Sequence, residues 1–264
     1  MKPVVSDTSP SAEQVQIELF RRASPGRKLS LVRSLSRTTI ELSRRTMASR
    51  FVAVTYGLDL PFPEDRTKAP PDLIAALVPV IDLFEQWQID YFIGGSIAGS
   101  AHGVPRATVD IDLIATLPEK SIQPLVENLQ TDYYVDETAI RRAIANRGSF
   151  NLIHLATMLK LDVFIQGSGD YDEEEARRAI QIPLEDDPQA RKFFVASAED
   201  MVIAKLDWYR RGGEISEKQW SDILGILKVQ GENLDFDYLK RWAKRKNLSD
   251  LLLRARDEAQ SGAP

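Results

Sequence analysis

Residues 91–115 read YFIGGSIAGSAHGVPRATVDIDLIA. An apolar run stops at Gly94-Gly95-Ser96, and thirteen residues separate that triplet from Asp110-Ile111-Asp112 inside a second apolar run. Successive side chains of a strand face opposite sides of the sheet. Val109, Ile111 and Leu113 are therefore predicted to face one way, and Asp110 and Asp112 the other. Two carboxylates side by side repel unless a cation lies between them. The stretch predicts a strand over 89–95, a short helix over 96–102 entered through a glycine turn, and a strand over 107–115 carrying a carboxylate pair.

Before this stretch, Leu73, Leu77, Val80, Ile81, Phe84 and Trp87 form an apolar stripe at helical spacing, with Pro79 expected to kink that helix. After it, 118–129 and 137–146 read as helices. FNLIHLA (150–156) and LKLDVFIQ (159–166) read as a hairpin turning at Thr157-Met158. Asp162 interrupts the second strand and shares a face with Lys160 and Phe164. Further strands are expected near 180–183 and 192–196. Helices follow over 198–211, 216–229, 235–245 and 248–259, the first with Ser197 and Asp200 at N-cap spacing. At the other end, 1–10 is expected to lack structure. A short helix is predicted over 11–22, and a longer one from Ser24-Pro25 toward Phe51. The expected organisation is an α+β fold, a mixed β-sheet with flanking helices. It divides into a basic helical N-terminal module (1–57), a proline-rich linker (58–71), a core (72–196) and a C-terminal helical segment (197–264).

Composition narrows the chemistry. The 264 residues contain no cysteine, which removes disulfides and thiolate chemistry. The two histidines, His102 and His154, are too few for an ordinary zinc site and read as structural. No apolar run is long enough to span a bilayer, and the N-terminus lacks the apolar core of a signal peptide, so a cytoplasmic location is expected. Net charge is −5 and unevenly spread. Residues 1–57 hold ten Lys/Arg against four Asp/Glu, a balance of +6 that leaves −11 for the rest. That asymmetry has two readings: an acidic partner (nucleic acid, a protein or a second copy) for the N-terminal helices, or a basic face packed on the chain's own acidic remainder.

A glycine turn beside a carboxylate pair suits a nucleoside triphosphate and its magnesium. Two ions about 3.5–4 Å apart, bridged by carboxylates, neutralise the charge that builds during phosphoryl or nucleotidyl transfer. Asp110 and Asp112 supply the pair, and Asp162 is the candidate third ligand. Backbone N–H groups of Gly94, Gly95 and Ser96 at a helix start would hold phosphate oxygens. Arg106 and Thr108 lead into the pair and join the candidate nucleotide-binding set. Arg210 and Arg211 read either as phosphate ligands or as charges that complement the C-terminus of their helix. Trp208, Trp220 and Trp242 read as core residues rather than base-stacking platforms.

Gly-Gly-Ser, Asp-Ile-Asp and the lone Asp of KLDVFI together resemble the nucleotidyltransferase superfamily that includes DNA polymerase beta. Within it they are most similar to the AbiEii-like, minimal nucleotidyltransferase branch, in which a helical histidine often follows the glycines, where His102 stands. The resemblance covers about 73–230. It implies that Lys205, in SAEDMVIAKLDWYRR, touches the triphosphate, and that Asp222 on the next helix supports it; the other reading of the two is an ordinary ion pair between helices. It further implies magnesium, or manganese in its place, and a toxin-type or regulatory role with tRNA or protein as acceptor. An acidic cleft would also suit a small cationic acceptor such as an aminoglycoside. The alternative is an inactive transferase-fold module that binds nucleic acid or a protein through its basic N-terminal helices.

Overall fold

The computed structural model describes residues 10–55, 72–157, 159–187 and 189–261. The linker expected at 58–71, the structureless start at 1–10 (except Pro10, the first residue of a helix) and Met158 of the hairpin turn lie outside these residues. Two helices come first, α1 (Pro10–Arg22) and α2 (Pro25–Thr55), then α3 (Leu73–Gln86). Asp72 caps α3 by accepting from the Ile74 N–H at 3.0 Å, and the helix runs on through Pro79. Strand β1 (Tyr91–Ile93) feeds directly into α4 (Gly95–His102), and β2 (Asp110–Ala115) returns beside it. There follow α5 (Ile122–Leu129), β3 (Tyr133–Tyr134), α6 (Glu137–Asn146), β4 (Ser149–His154) and β5 (Leu159–Ile165). Next come α7 (Asp170–Arg178), β6 (Ile180–Pro183), β7 (Lys192–Val195), α8 (Ala198–Arg211), α9 (Glu217–Gln230), α10 (Phe236–Arg245) and α11 (Ser249–Ser261).

The described strands form one seven-stranded mixed sheet in the order β3-β4-β5-β2-β1-β7-β6. This is the α+β arrangement the sequence predicts. The 150–166 segment is the antiparallel hairpin expected, β4 against β5. Strand β2 lies between antiparallel β1 and parallel β5, which fixes the site. Its alternation is clean: Ile111, Leu113 and Ala115 are fully buried, and Asp110, Asp112 and Ile114 face the other side. Val109 departs from the expected pattern, because the strand begins one residue later and leaves it 47% exposed. The buried face packs into a core that includes Leu77, Ile81 and Phe84 of α3 and Ile203 and Leu206 of α8. Each fully buried aliphatic side chain there contributes roughly 1.5–3 kcal/mol.

The N-terminal helices lie on this core. Leu29 and Val32 are buried, and the buried Lys28 donates from Nζ to the Ala101 carbonyl in the last turn of α4 at 3.2 Å. Burial pushes the Lys28 ammonium down to about 8. Arg33 pairs with Asp72 (3.1 Å) and Glu185 (2.8 Å), and Arg27 with Asp186 (3.4 Å). Arg21 donates to the Lys228 carbonyl at 2.8 Å. For these residues the basic face is turned onto the chain's own acids and carbonyls.

Candidate active site

Strand β1 ends at Ile93, Gly94 caps the next helix, and α4 starts at once with Gly95 in the left-handed region (φ +54°). A Cβ at Gly95 would overlap the Asp112 carboxylate, so only glycine lets the turn and the acid come this close. The Gly94 N–H donates to the Asp112 carbonyl at 2.9 Å, and the Ser96 N–H supports the Asp112 carboxylate. Parallel pairing of β2 with β5 sets Asp112 directly beside Asp162, and Asp110 beside Lys160. The three expected carboxylates thus share one face of the sheet, next to the glycine turn.

They are not free. Lys160 Nζ pairs with Asp162 Oδ2 at 2.8 Å and with Asp110 Oδ1 at 3.4 Å. The Asn151 side-chain amide, oriented to match its neighbours, donates to Asp162 Oδ1 at 2.8 Å. Both oxygens of Asp162 therefore carry a donor. Asp112 has no such cation: burial raises its carboxyl above the ordinary range, and the charges of Asp162 and Asp110 raise it further. Among the described residues no group of three or more His, Cys, Asp or Glu is arranged to hold a metal ion. A divalent ion nevertheless fits beside Asp112, because magnesium is commonly held by one or two carboxylates plus substrate phosphates, and among the described residues this carboxylate makes no direct ion pair, Lys205 acting on it through charge alone.

The second half of the site sits on helices. Lys205 of α8 is 6% exposed and pairs with Asp222 Oδ2 of α9 at 2.7 Å. Gly99 makes room for it: a Cβ there would lie 3.0 Å from Lys205 Cε. Arg106 grips Asp222 with both nitrogens at 2.8 Å and donates to Ser96 Oγ at 2.6 Å. Burial pushes the Asp222 carboxyl up, but the Arg106 hydrogen bond and the Lys205 charge outweigh it, and the net shift is downward. Burial also lowers the Lys205 ammonium, which Asp222 opposes. Ser96, Arg106, Asp222 and Lys205 form one network joining the glycine turn to two helices.

A cavity of about 590 Å³ opens beside this network, lined by Gly94, Gly95, Ser96, Asp112 and Lys205 among others. Asp110, Asp162, Arg106, Thr108 and Asp222 do not line it. Thr108 is held elsewhere: its N–H donates to Ser36 Oγ of α2 at 2.9 Å, and its hydroxyl donates to the Asp110 carbonyl at 3.0 Å. Tyr171 and Glu175 of α7 also line the cavity. Burial, then the charges of Asp200 and Asp172, push the Glu175 carboxyl up to about 8. The rim carries Trp208, 57% exposed and one turn of α8 beyond Lys205. Trp208 thus departs from the expected core position, whereas Trp220 (7%) and Trp242 (4%) are buried as expected. Arg211 lines the cavity and pairs with Asp207 at 2.7 Å, while Arg210 pairs with Asp250 at 2.6 Å.

Both histidines are structural. Buried His102 is hydrogen-bonded through Nε2 to the Ala196 carbonyl (2.7 Å), and burial lowers its pKa. His154 is hydrogen-bonded to Thr157 Oγ1 (2.8 Å) and packs on Tyr133. Sequence reading missed Lys160 as a partner of the acids, Asn151, and the whole of α7. Lys160 was visible as a face-mate of Asp162, and its bond to Asp110 needed the β2–β5 register.

No protein-family model matches the chain, and no curated protein sequence matches it. Solved structures do resemble it. An antigenic nucleotidyltransferase-like protein from Paracoccidioides brasiliensis is 19% identical, covering 72% of this chain and 91% of its own, with a TM-score of 0.45. The antibiotic-resistance factor ANT(2'')-Ia is 14% identical over 71% of this chain and 94% of its own, with a TM-score of 0.42. The lincosamide antibiotic adenylyltransferase LnuA is 16% identical over 59% of this chain and 96% of its own, with a TM-score of 0.35. Neither identity nor superposition reaches the level at which residue roles transfer. No described helix is long and apolar enough to cross a membrane.

Proposed function

We propose that the chain is a metal-dependent nucleotidyltransferase that moves a nucleoside monophosphate from a triphosphate to an acceptor hydroxyl. One observation carries this reading: a largely buried carboxylate, Asp112, and a buried ammonium, Lys205, whose charges act on each other, line one cavity beside a glycine turn. Asp112, with Asp162 beside it, would hold magnesium, which when bound neutralises charge on the transferring phosphate.

The chain's own groups account for the remaining work. Lys205 and Arg106 share the single carboxylate of Asp222, so one positive charge is left over at the phosphate end. Glycine at 94 and 95 allows phosphate oxygens to approach the backbone closely. Trp208 offers an aromatic face to the nucleobase. Glu175, its carboxyl pushed up to about 8, stands on the cavity wall, is mostly protonated at pH 7 and becomes a base for the acceptor proton only as pH rises through 8. The volume falls within the usual range for small-molecule sites.

Transfer of α-labelled nucleoside triphosphates tests the reading, with RNA, protein and an aminoglycoside run in parallel as acceptors. Asp112→Asn should lower transfer by about 100-fold or more. Transfer at the wild-type rate in that variant would sink the mechanism.

A further inference from the structure

We infer that Lys160 is a built-in cation standing where a second metal ion would otherwise bridge carboxylates, so the site takes one divalent ion, at Asp112. The inference rests on the proposed function and deepens it.

The register makes the case. On the face of β2 and β5 that bears the acids, Asp110 lies beside Lys160 and Asp112 beside Asp162, a two-by-two array with one positive corner. A two-ion site needs carboxylates that bridge ions about 3.5–4 Å apart. One ion would lie by Asp112, next to the glycine turn. The other would need Asp110 and Asp162 together, and these are the two groups that Lys160 Nζ contacts, at 3.4 and 2.8 Å. A lysine ammonium is a compact point charge with three donors, suited to such a place. Asn151 fixes the other oxygen of Asp162, so that acid is oriented from both sides. Lys160 is thereby a positioning residue: it sets how many ions the acids accept and where Asp162 points.

Counting bound Mn²⁺ by electron paramagnetic resonance, on the full chain without nucleotide, tests this independently of turnover. The wild type and Lys160→Arg should each saturate at one ion per chain. Lys160→Met and Lys160→Gln should take two, and Asp112→Asn none. Circular dichroism melts establish that each variant is folded before it is counted. Two ions on the wild type, no ion on the wild type, or a single ion on both neutral Lys160 variants would each overturn the inference. The labelled-transfer assay separates the two levels. The expected ion counts without transfer to any acceptor sink the proposed function alone, and transfer by a wild type that holds two ions sinks the role of Lys160 alone.

Discussion

The strand face of Asp110, Asp112, Asp162 and Lys160 and the helix cluster of Arg106, Asp222 and Lys205 are opposites in charge and in exposure. The first carries three negative groups against one positive. Its outer pair, Asp110 and Lys160, is 46% and 39% exposed. The second carries two positive groups against one negative, at 24%, 6% and 11% exposure. One region is short of positive charge and the other of negative charge, and a glycine turn separates them. A metal-bound triphosphate would answer both needs at once. The pair of regions also shows how burial divides labour. The array is open to solvent at its outer edge, Asp110 and Lys160, whereas the buried cluster is closed on itself and fixes the shape of the site.

The sharpest way to break the comparison is to remove the single acid of the closed cluster. Asp222→Ala leaves Lys205 and Arg106 facing each other with no countercharge among them. Breaking a buried ion pair by deleting one partner typically costs about 3–5 kcal/mol. Urea denaturation followed by circular dichroism should show a loss of that size. A loss below about 1 kcal/mol would mean that the cluster is as open to water as the strand face.

The hinge between the regions comes next. Gly95→Ala puts a Cβ into the Asp112 carboxylate and forces a side-chain-bearing residue into φ +54°. Left-handed strain at such a position costs about 1–3 kcal/mol. The same displacement should weaken Mn²⁺ binding, so stability and metal affinity fall together. A variant of full stability with intact Mn²⁺ binding would show that the turn does not position Asp112.

Much of this arrangement was legible in the sequence. Period-two alternation in VDIDLI and KLDVFI placed three acids on strand faces, and the glycine turn marked where they meet. The Lys205–Asp222 pair followed from resemblance alone. Three features escaped for physical reasons. Lys160 reaches Asp110 through a pairing of strands fifty residues apart, and no local pattern encodes that register. Helix α7 is built from DYDEEEARR and buries only Tyr171, so hydrophobic periodicity had almost nothing to act on. Trp208 sits on a helix rich in apolar residues, and only the cavity beside it makes its exposure intelligible. Arg106 and Thr108 show the converse. Their motif position suggested ligand contact, and the hydrogen bonds within the fold, from Arg106 to Asp222 and Ser96 and from Thr108 to Ser36, could not be read from it.

The smallest expected effect gives the finest contrast, because the two regions should respond to acid with opposite signs. Asp222 has a lowered carboxyl in the folded state. Its contribution is present above the unfolded value and is lost as pH falls through the folded one. Asp112 has a raised carboxyl, chiefly from burial and then from Asp162 and Asp110. Its contribution is full below the unfolded value and is lost as pH rises through the folded one. At neutral pH, without metal, the Asp112 charge is therefore a burden on the fold. Asp112→Asn keeps an oxygen for the Ser96 N–H and removes the repulsion. It should stabilise the protein slightly at pH 7, and the gain should fade as acid protonates the wild-type carboxyl. Saturating Mn²⁺ should raise the melting temperature of the wild type and leave that of the variant unchanged. An Asn variant that is less stable than the wild type at pH 7 in the absence of metal would mean that Asp112 already has its countercharge within the fold, and the contrast between the two regions would be lost.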